Sequence, residues 1–162
     1  NRMVQANLSG TPAFLPEPGR TILSGTQKAG MIRIASVPAN ICKVEEYLER
    51  IFNEYQLDQS IYPNVLISIT EAVNNAILHG NKSDGNKFVS LRTVRMQKHI
   101  CFRISDEGQG FDPEGIPDPT LPENIEKCGG RGVFLMQRLS DRVIFSDNGR
   151  TVEIGFKLHV EA

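Results

Sequence analysis

The sequence predicts an α/β fold, a two-layer sandwich in which helices cover one face of an antiparallel or mixed β-sheet. Some segments carry apolar residues three and four apart, and others carry them at every second position. The order of these segments is strand, two helices, two strands, a short helix and two strands. Tight connections at Gln97-Lys98 and Asn148-Gly149 join paired strands as hairpins. This order favours one layer of helices packed on a sheet.

The length of the chain fits one folded domain preceded by a tail. At 162 residues the chain can bury roughly two thirds of the surface that it exposes when unfolded. Residues 1–30 contain three prolines and four glycines and lack sustained apolar periodicity. We therefore expect a flexible tail over residues 1–30, which is a native extension, a piece of a larger parent protein or an added segment. The folded domain is expected over residues 31–162.

One strand and two helices are expected in the first half of this domain. Residues 31–37 are typical of a strand, and Pro38 ends its ladder of hydrogen bonds. Apolar residues over 41–56 recur at spacings of three and four, which predicts a helix with one buried face. A second helix is predicted over residues 63–80, because it opens with a proline, which costs no hydrogen bond there, and closes with a glycine.

The second half is predicted to supply two hairpins and a short helix. Strands over residues 87–96 and 99–106 form the first hairpin. A short helix then follows a glycine-rich segment, and strands over residues 142–147 and 151–160 form the second hairpin.

Charge and cysteine content exclude some classes of function. The 18 basic and 19 acidic residues give a net charge of −1, so a direct nucleic-acid partner is not expected. The three cysteines are too widely spaced for a ligand cluster, and their odd number fits a reducing cytoplasm. The sequence has neither an apolar run of about 18 residues nor a secretory leader, so we expect a cytoplasmic protein with no membrane partner.

The first candidate motif lies on the second predicted helix. Glu71 and Asn75 are one turn apart, and both fall roughly 160 degrees from Val73 of the core stripe. Their face is therefore either an ordinary solvated face or a binding site. The adjacent Asn74 and Asn75 have poor helix propensity, which favours the binding site. His79 either lines the same pocket or has a structural role at the helix end.

The second motif is Asp106-Glu107-Gly108-Gln109-Gly110. The predicted strand ends at Asp106, so the sheet fixes its carboxylate while the glycines beyond it allow close approach of a ligand to the backbone. An adenine amino group suits this carboxylate. The alternative is a turn in which Asp106 bonds nearby backbone groups. Glu107 is expected to face solvent.

The third motif, Gly129-Gly130-Arg131-Gly132, opens the predicted short helix. Its glycines leave backbone N–H groups accessible to phosphate oxygens, and the helix start adds a partial positive charge. A plain loop-to-helix turn would also fit these glycines. Arg131 and Lys127 either add charge to a phosphate site or face solvent. Residues 111–128 contain four prolines and lack periodicity, which favours a lid that excludes water.

Together the three motifs predict a nucleotide site. Other nucleotide sites have signatures that the sequence lacks: the phosphate loop of common NTPases, the Gly-x-Gly-x-x-Gly helix start and the usual protein kinase motifs. A catalytic serine, histidine and acid arrangement is not visible either. A metal site built from His79, His99 and His159 is not indicated.

At these residues the chain resembles the GHKL ATPases, a superfamily named for gyrase, a heat-shock chaperone, histidine kinases and a mismatch-repair protein. The resemblance covers roughly residues 31–160. It rests on the segment from Glu71 to Gly80, on Asp106-x-Gly-x-Gly and on Gly-Gly-Arg-Gly. Within the superfamily the chain is similar to the bacterial anti-sigma factor serine/threonine kinases. The resemblance implies a Bergerat-type ATP-binding fold.

The resemblance also implies roles for individual residues. Glu71 would be the general base, Asn75 the magnesium ligand and Asp106 the adenine contact. The nucleotide-loop positions would be Gly108, Gly110, Gly130 and Gly132. Family members often carry a basic residue just before the glycine turn, where this chain has Lys127-Cys128, which leaves the identity of the phosphate-binding cation open.

The function implied by the resemblance is an ATP-dependent serine/threonine kinase that uses ATP and magnesium. Such a protein would bind a sigma factor as an anti-sigma factor and phosphorylate an anti-anti-sigma protein. One alternative is a regulatory module that binds ATP without catalysis. Another is the ATP-binding domain of a histidine kinase, which requires an upstream helical hairpin that residues 1–30 do not supply. The resemblance also allows a homodimer, and the sequence leaves the oligomeric state open.

Overall fold

The structure is a computed structural model and describes residues 28–109 and 130–159. Within these ranges the chain forms five strands and three α-helices. In chain order they are β1 (Lys28–Ala35), α1 (Ile41–Glu54), α2 (Tyr62–Asn75), β2 (Phe88–Arg95), β3 (His99–Ser105), α3 (Gly130–Leu139), β4 (Arg142–Ser146) and β5 (Thr151–Lys157). A π-helical segment, Ala76–Gly80, continues α2.

The five strands form one antiparallel sheet in the order β1-β2-β3-β5-β4. One row of directly paired residues crosses all of them and is apolar throughout: Ile32, Leu91, Ile104, Val152 and Phe145. Four of these residues belong to the main core under the helices, and the partly buried Ile32 packs against it. The structure therefore confirms the predicted α/β sandwich with helices on one face of the sheet.

The two long helices each bury one face against the core. Helix α1 buries a stripe with spacings of three and four: Val44, Tyr47, Leu48, Ile51 and Phe52. Helix α2 buries Val65, Ser68, Ile69, Ala72 and Val73. The hydroxyl of Tyr47 donates a hydrogen bond of 2.7 Å to Thr93 Oγ1 of β2, which satisfies two polar groups inside the core.

Most strand boundaries agree with the predictions within two residues, and two differ by three. Strand β1 begins at Lys28 rather than Met31, because residues 28–30 continue the ladder with β2 and Gly30 pairs with Thr93. A Cβ atom on Gly30 would lie 2.9 Å from the Tyr47 hydroxyl, so the glycine allows the strand to pass close to α1. A residue assigned to the tail thus has a packing role. Strand β5 ends at Lys157, before the predicted end at residue 160.

The sheet face away from the helices carries a buried ion pair. Arg103 of β3 lies directly opposite Glu153 of β5. The Arg103 Nε donates a hydrogen bond of 2.8 Å to Oε1 of Glu153, and Nη2 lies 2.6 Å from the same oxygen. The Glu153 side chain is only 2% exposed and that of Arg103 is 13% exposed. In the part of the chain that the structure describes, no helix has the length and apolar composition to cross a membrane.

Candidate functional site

The candidate site begins on the C-terminal half of α2, where Glu71 and Asn75 lie one turn apart. Both side chains are partly buried, whereas Val73 on the opposite side of the helix is fully buried in the core. They do not lie on an open solvated face, because α3 packs along α2 at this point. The sequence periodicity predicts that these two residues lie away from the core. In the structure, α3 packs against α2 beside them.

Gly132 of α3 lies directly against this pair. A Cβ atom on Gly132 would be 2.9 Å from Oε2 of Glu71 and 3.1 Å from Nδ2 of Asn75. Real Cβ atoms essentially never approach another heavy atom closer than 3.0 Å. The glycine therefore allows the first turn of α3 to reach the carboxylate and the amide. Two of the three sequence motifs are brought together by this contact.

The end of the second helix is wider than an α-helix. The backbone N–H of Asn81 donates to the carbonyl of Ala76, five residues earlier, at 2.8 Å. This pattern is that of a π-helix, which was not predicted from the sequence, and π-helical turns occur frequently at functional sites. The helix ends at Gly80, as predicted, but its last turn has a different geometry. His79 lies on this segment and is exposed to solvent.

Asp106 follows the last residue of β3. Its backbone N–H donates to the carbonyl of Arg150 at 2.9 Å, and its Oδ1 accepts the N–H of Gly108 at 2.8 Å. The local turn that we considered as an alternative is therefore present. Burial raises the pKa of the Asp106 carboxyl above its ordinary value, against the opposing effect of the Gly108 N–H. The carboxylate thus lies partly withdrawn from water, where a hydrogen bond to a ligand is stronger.

Two glycines allow the Asp106 turn to lie on the end of the π-helical segment. A Cβ atom on Gly80 would overlap the Asp106 carboxylate, and one on Gly108 would overlap the Gly80 carbonyl oxygen. Among the glycines in the described ranges, only Gly149 has a positive φ. Gly80 and Gly108 are therefore required by the space available and not by an unusual backbone conformation. The sequence identified Gly80 only as a helix end.

Asn81 is a residue of this site that the sequence analysis missed. Its side chain is 1% exposed, and its Nδ2 donates to Ser36 Oγ at 2.7 Å and to the Phe88 carbonyl at 3.0 Å. Its Oδ1 accepts the backbone N–H of Glu107 at 2.8 Å. The only sequence signal was an asparagine directly after a glycine at a helix end.

Glu107, which was expected to face solvent, is held at both its backbone and its side chain. The side chain is 50% exposed, yet its carboxylate accepts the backbone N–H of Phe88 and lies 4.0 Å from Arg33. The Arg33 guanidinium stacks over the Phe88 ring at 3.9 Å. The segment after Asp106 is thereby attached to β1 and β2.

The remaining predicted site residues lie at the start of α3 or outside the described residues 28–109 and 130–159. Gly130 and Arg131 form the start of α3, which agrees with a helix opening at the third motif. The Arg131 side chain lies outside what the structure describes. So do Gly110, Lys127, Gly129 and the predicted lid over residues 111–128.

The described groups form two clusters along one helix. The first holds Glu71, Asn75 and Gly132, and the second holds Asp106 with Gly80 and Gly108. Asn75 directly precedes the π-helical segment and Gly80 ends it, so the two clusters lie about one turn apart on this helix. An elongated ligand fits this arrangement if it has an N–H donor at one end, for Asp106, and an anionic group at the other, for the start of α3.

Comparisons with known proteins identify relatives of this chain. Residues 34–156 match the family model of the histidine kinase-like ATPase domain. The serine-protein kinase RsbW of Staphylococcus aureus strain JH9 is 32% identical over 96 residues, which cover 54% of this chain and 60% of the relative. RsbW of strain Newman matches to the same extent. The chain therefore spans about 60% of the length of these curated relatives.

A solved structure shares the fold. The crystal structure of the RsbU and RsbW domains of Rv1364c from Mycobacterium tuberculosis is similar with a TM-score of 0.58 and 14% sequence identity. The match covers 82% of this chain and 32% of that chain. At this identity the likeness concerns the fold alone.

Proposed function

The chain belongs to the family of histidine kinase-like ATPase domains, and from this premise we propose that it is an ATP-dependent serine/threonine protein kinase. Family membership confirms the resemblance to the GHKL ATPases. The similarity to RsbW supports the anti-sigma serine kinase branch. The observation that carries the proposal is the approach of Gly132 to both Glu71 and Asn75, because it brings a carboxylate and a side-chain amide to the N-terminal turn of a helix.

Asp106 is proposed to bind the adenine end of ATP. Its carboxylate is partly withdrawn from water and rests on Gly80, so it is suited to accept a hydrogen bond from an exocyclic amino group. The triphosphate would then extend along α2 toward the start of α3. The N–H groups of that helix start and its partial positive charge favour phosphate oxygens. Gly110, Gly129, Gly130, Arg131 and Lys127 remain proposed contributors to this phosphate site.

Asn75 fits the role of a magnesium ligand. In the described ranges, no group of three or more His, Cys, Asp or Glu side chains is arranged to hold a metal ion. A magnesium ion that binds together with a triphosphate needs only one or two protein ligands, since phosphate and water oxygens supply the rest. The amide of Asn75 lies at the start of α3 and offers one such oxygen. Magnesium would supply neutralisation of charge on the phosphate oxygens.

Glu71 is proposed as the general base for transfer to a protein hydroxyl. It accepts the proton of a serine or threonine hydroxyl while that oxygen bonds to the γ-phosphorus of ATP, and the bond to the bridging oxygen breaks to release ADP. Glu71 and Asn75 are one helical turn apart and lie close to the same glycine. The base therefore lies beside the residue that would orient the phosphates, as positioning catalysis requires.

The proposed partners are proteins. RsbW is named a serine-protein kinase, and by analogy this chain would phosphorylate an anti-anti-sigma protein and bind a sigma factor. Nucleic acid is not a proposed partner, because the net charge of −1 provides no general attraction to phosphate backbones. A homodimer and a cytoplasmic location remain part of the proposal.

The decisive experiment separates ATP binding from transfer. ATP is titrated with and without magnesium, and the protein is then incubated with ATP and the proteins encoded beside its gene. Phosphoserine or phosphothreonine on one of them, detected by mass spectrometry, supports the kinase. Glu71→Gln is expected to retain ATP binding and lose at least a hundredfold in transfer rate, in the range typical of a general base. Transfer at the wild-type rate would show that Glu71 is not the base.

A matched variant controls for a general effect of losing a carboxylate. Glu49 lies on the exposed side of α1, and Glu49→Gln is expected to leave both binding and transfer unchanged. A stable complex with ATP, magnesium and a partner but without a phosphorylated product would favour the non-catalytic module. Phosphohistidine on an upstream segment of a longer natural chain would favour the histidine kinase.

A further inference from the structure

We infer that Asn81 is a positioning residue that sets the Asp106 carboxylate for recognition of the purine amino group. The inference deepens the proposed function and rests on ATP being the ligand. Asn81 itself does not touch the proposed nucleotide position. It acts through Glu107, the residue next to Asp106, and through Gly80, the residue next to itself.

The side chain of Asn81 uses both of its donors and its acceptor within the protein. Nδ2 donates to Ser36 Oγ and to the Phe88 carbonyl, and Oδ1 accepts the Glu107 N–H. An asparagine amide has two N–H donors and one carbonyl oxygen, so each kind of group is satisfied and the amide is held in one orientation. Because Asn81 is only 1% exposed, water does not replace these protein partners.

Each of these bonds reaches a different part of the fold. Ser36 follows β1, is fully buried, and its own hydroxyl donates to the Lys87 carbonyl at 2.8 Å. Phe88 is the first residue of β2, and Glu107 belongs to the turn after β3. Asn81 therefore fixes the end of the π-helical segment to two strands and to the turn that carries Asp106.

The position of the Asp106 carboxylate depends on this attachment. The carboxylate lies on Gly80, and Gly108 lies on the Gly80 carbonyl, so the turn and the helix end touch without intervening side chains. Asn81, the residue after Gly80, accepts the Glu107 N–H through its Oδ1 at 2.8 Å. When Asn81 is replaced by alanine, this N–H and the Phe88 carbonyl lose their buried partner. The turn is then expected to shift, and the carboxylate moves with it.

The readout is the preference for ATP over inosine 5′-triphosphate (ITP), measured as the ratio of their dissociation constants. Inosine carries an oxygen in place of the 6-amino group and cannot donate a hydrogen bond to a carboxylate there. A site built around a buried acceptor discriminates strongly against a ligand that lacks the donor. The two ligands share the triphosphate, so a variant that merely lowers stability leaves the ratio unchanged.

The experiment measures both dissociation constants by calorimetry for the wild type, Asn81→Ala and Asn40→Ala. Asn40 is a matched control, since its Nδ2 also donates to a partly buried backbone carbonyl, that of Ala35 at 3.0 Å, but its side chain is not bonded to the Asp106 turn. We expect the wild type to prefer ATP, Asn81→Ala to lose at least fivefold of this preference, and Asn40→Ala to retain it. The affinity of Asn81→Ala for ITP is expected to change less than twofold.

Three outcomes would overturn the inference. Asn81→Ala with the wild-type ratio and a lower melting temperature would show that Asn81 is only structural. Equal affinities of the wild type for ATP and ITP would show that Asp106 does not discriminate. Binding of neither triphosphate by the wild type would refute the proposed function, and this inference with it, so the two failures are distinguishable.

A milder variant serves if Asn81→Ala does not fold. Asn81→Ser keeps one hydroxyl at this buried position but removes the amide that bridges Ser36, the Phe88 carbonyl and the Glu107 N–H at once. A reduced ATP preference in Asn81→Ser supports the positioning role. A wild-type ratio in that variant overturns it.

Discussion

Gly132 approaches Glu71 so closely that a methyl group on the glycine would lie 2.9 Å from the Oε2 atom of the carboxylate. The atom that must move is the far end of a flexible side chain, so Gly132→Ala costs little in packing. Alanine also favours a helix over glycine by about 1 kcal/mol. We expect stability within about 1 kcal/mol of the wild type and a loss of phosphoryl transfer of at least tenfold, because Glu71 is displaced.

The measurement for Gly132→Ala compares urea unfolding with the initial rate of transfer. Gly85→Ala is the matched control, because a Cβ atom there would lie at an ordinary 3.7 Å from Val37, outside the candidate site. A wild-type transfer rate in Gly132→Ala would contradict the proposed role of the Gly132 contact.

Gly108→Ala is expected to destabilise the protein more than Gly132→Ala does. Here the added methyl group would overlap the carbonyl oxygen of Gly80, which is backbone and cannot rotate away. Overpacking of this kind costs about 1–3 kcal/mol. The expected result is a loss in the free energy of unfolding of about 2 kcal/mol in urea, with Gly85→Ala again unchanged. Equal stabilities of the two site variants would show that the Asp106 turn can move away from Gly80.

The elements of the fold were predictable because local periodicity encodes them. The stripe that α1 buries, and the alternation in β3, repeat at fixed spacings that mark a helix and a strand. The hairpin between β4 and β5 followed from Asn148-Gly149, and Asn148 does adopt a positive φ of 53°. Strand order was not predictable in the same way, since the pairing of β3 with β5 joins segments that are far apart in sequence.

The three motifs of the candidate site could be found in the sequence, but Asn81 and the contacts between the motifs could not. Spacing identified Glu71 and Asn75 on one helix face, yet nothing local indicates that Gly132 packs on them. The π-helical turn and the network of Asn81 also depend on partners that are distant in sequence: Ser36 is 45 residues away and Glu107 is 26 away. A close approach that requires a glycine is a property of two segments, so one segment alone cannot reveal it.

Asp106→Asn is expected to stabilise the nucleotide-free protein at neutral pH. Burial raises the pKa of Asp106, so ionisation of its carboxyl group costs more free energy in the folded state than in the unfolded state. The asparagine keeps an Oδ1 acceptor for the Gly108 N–H and removes the charge. The same variant is expected to lose the preference for ATP over ITP, because an amide can turn its NH₂ toward the inosine oxygen.

The sign of the pH dependence follows from the raised pKa. Unfolded aspartate titrates near a pKa of about 3.9. Above the raised pKa, Asp106 is ionised in both the folded and the unfolded state. The wild type is then destabilised by the full free-energy cost of the partly buried charge. As the pH falls through the raised pKa toward about 4, the folded state takes up its proton first and the wild type gains stability. The advantage of Asp106→Asn in urea unfolding should therefore shrink as the pH is lowered.

A matched control exists for this titration. Asp84 is exposed, and its Oδ1 accepts the N–H of Asn86, two residues later, at 2.9 Å. Asp84→Asn thus makes the same chemical change at an equivalent turn outside the candidate site. It is expected to show no stabilisation at neutral pH. An Asp106→Asn variant that is no more stable than the wild type at pH 7 would refute the cost assigned to the Asp106 charge.

We expect removal of one partner of the Arg103–Glu153 pair to destabilise the protein. Replacement of both partners by apolar residues is expected to be nearly neutral. Burial raises the pKa of Glu153 despite the hydrogen bond from Arg103, which indicates that loss of water outweighs the attraction between the charges. Glu153→Gln leaves the 13% exposed Arg103 without its counter-charge, and we expect a loss of about 3 kcal/mol in the free energy of unfolding. The double variant Arg103→Met, Glu153→Leu should fall within about 1 kcal/mol of the wild type or exceed it.

The exposed pair Arg50–Glu54 is the control for this comparison. Its two side chains are 57% and 58% exposed at an N–O distance of 3.8 Å, so Glu54→Gln should change stability by less than about 0.5 kcal/mol. Unfolding in urea, followed by circular dichroism, gives all four free energies on one scale. If the double variant loses as much stability as Glu153→Gln, the buried pair contributes net stability, and the cost of withdrawing its charges from water is smaller than the raised pKa implies.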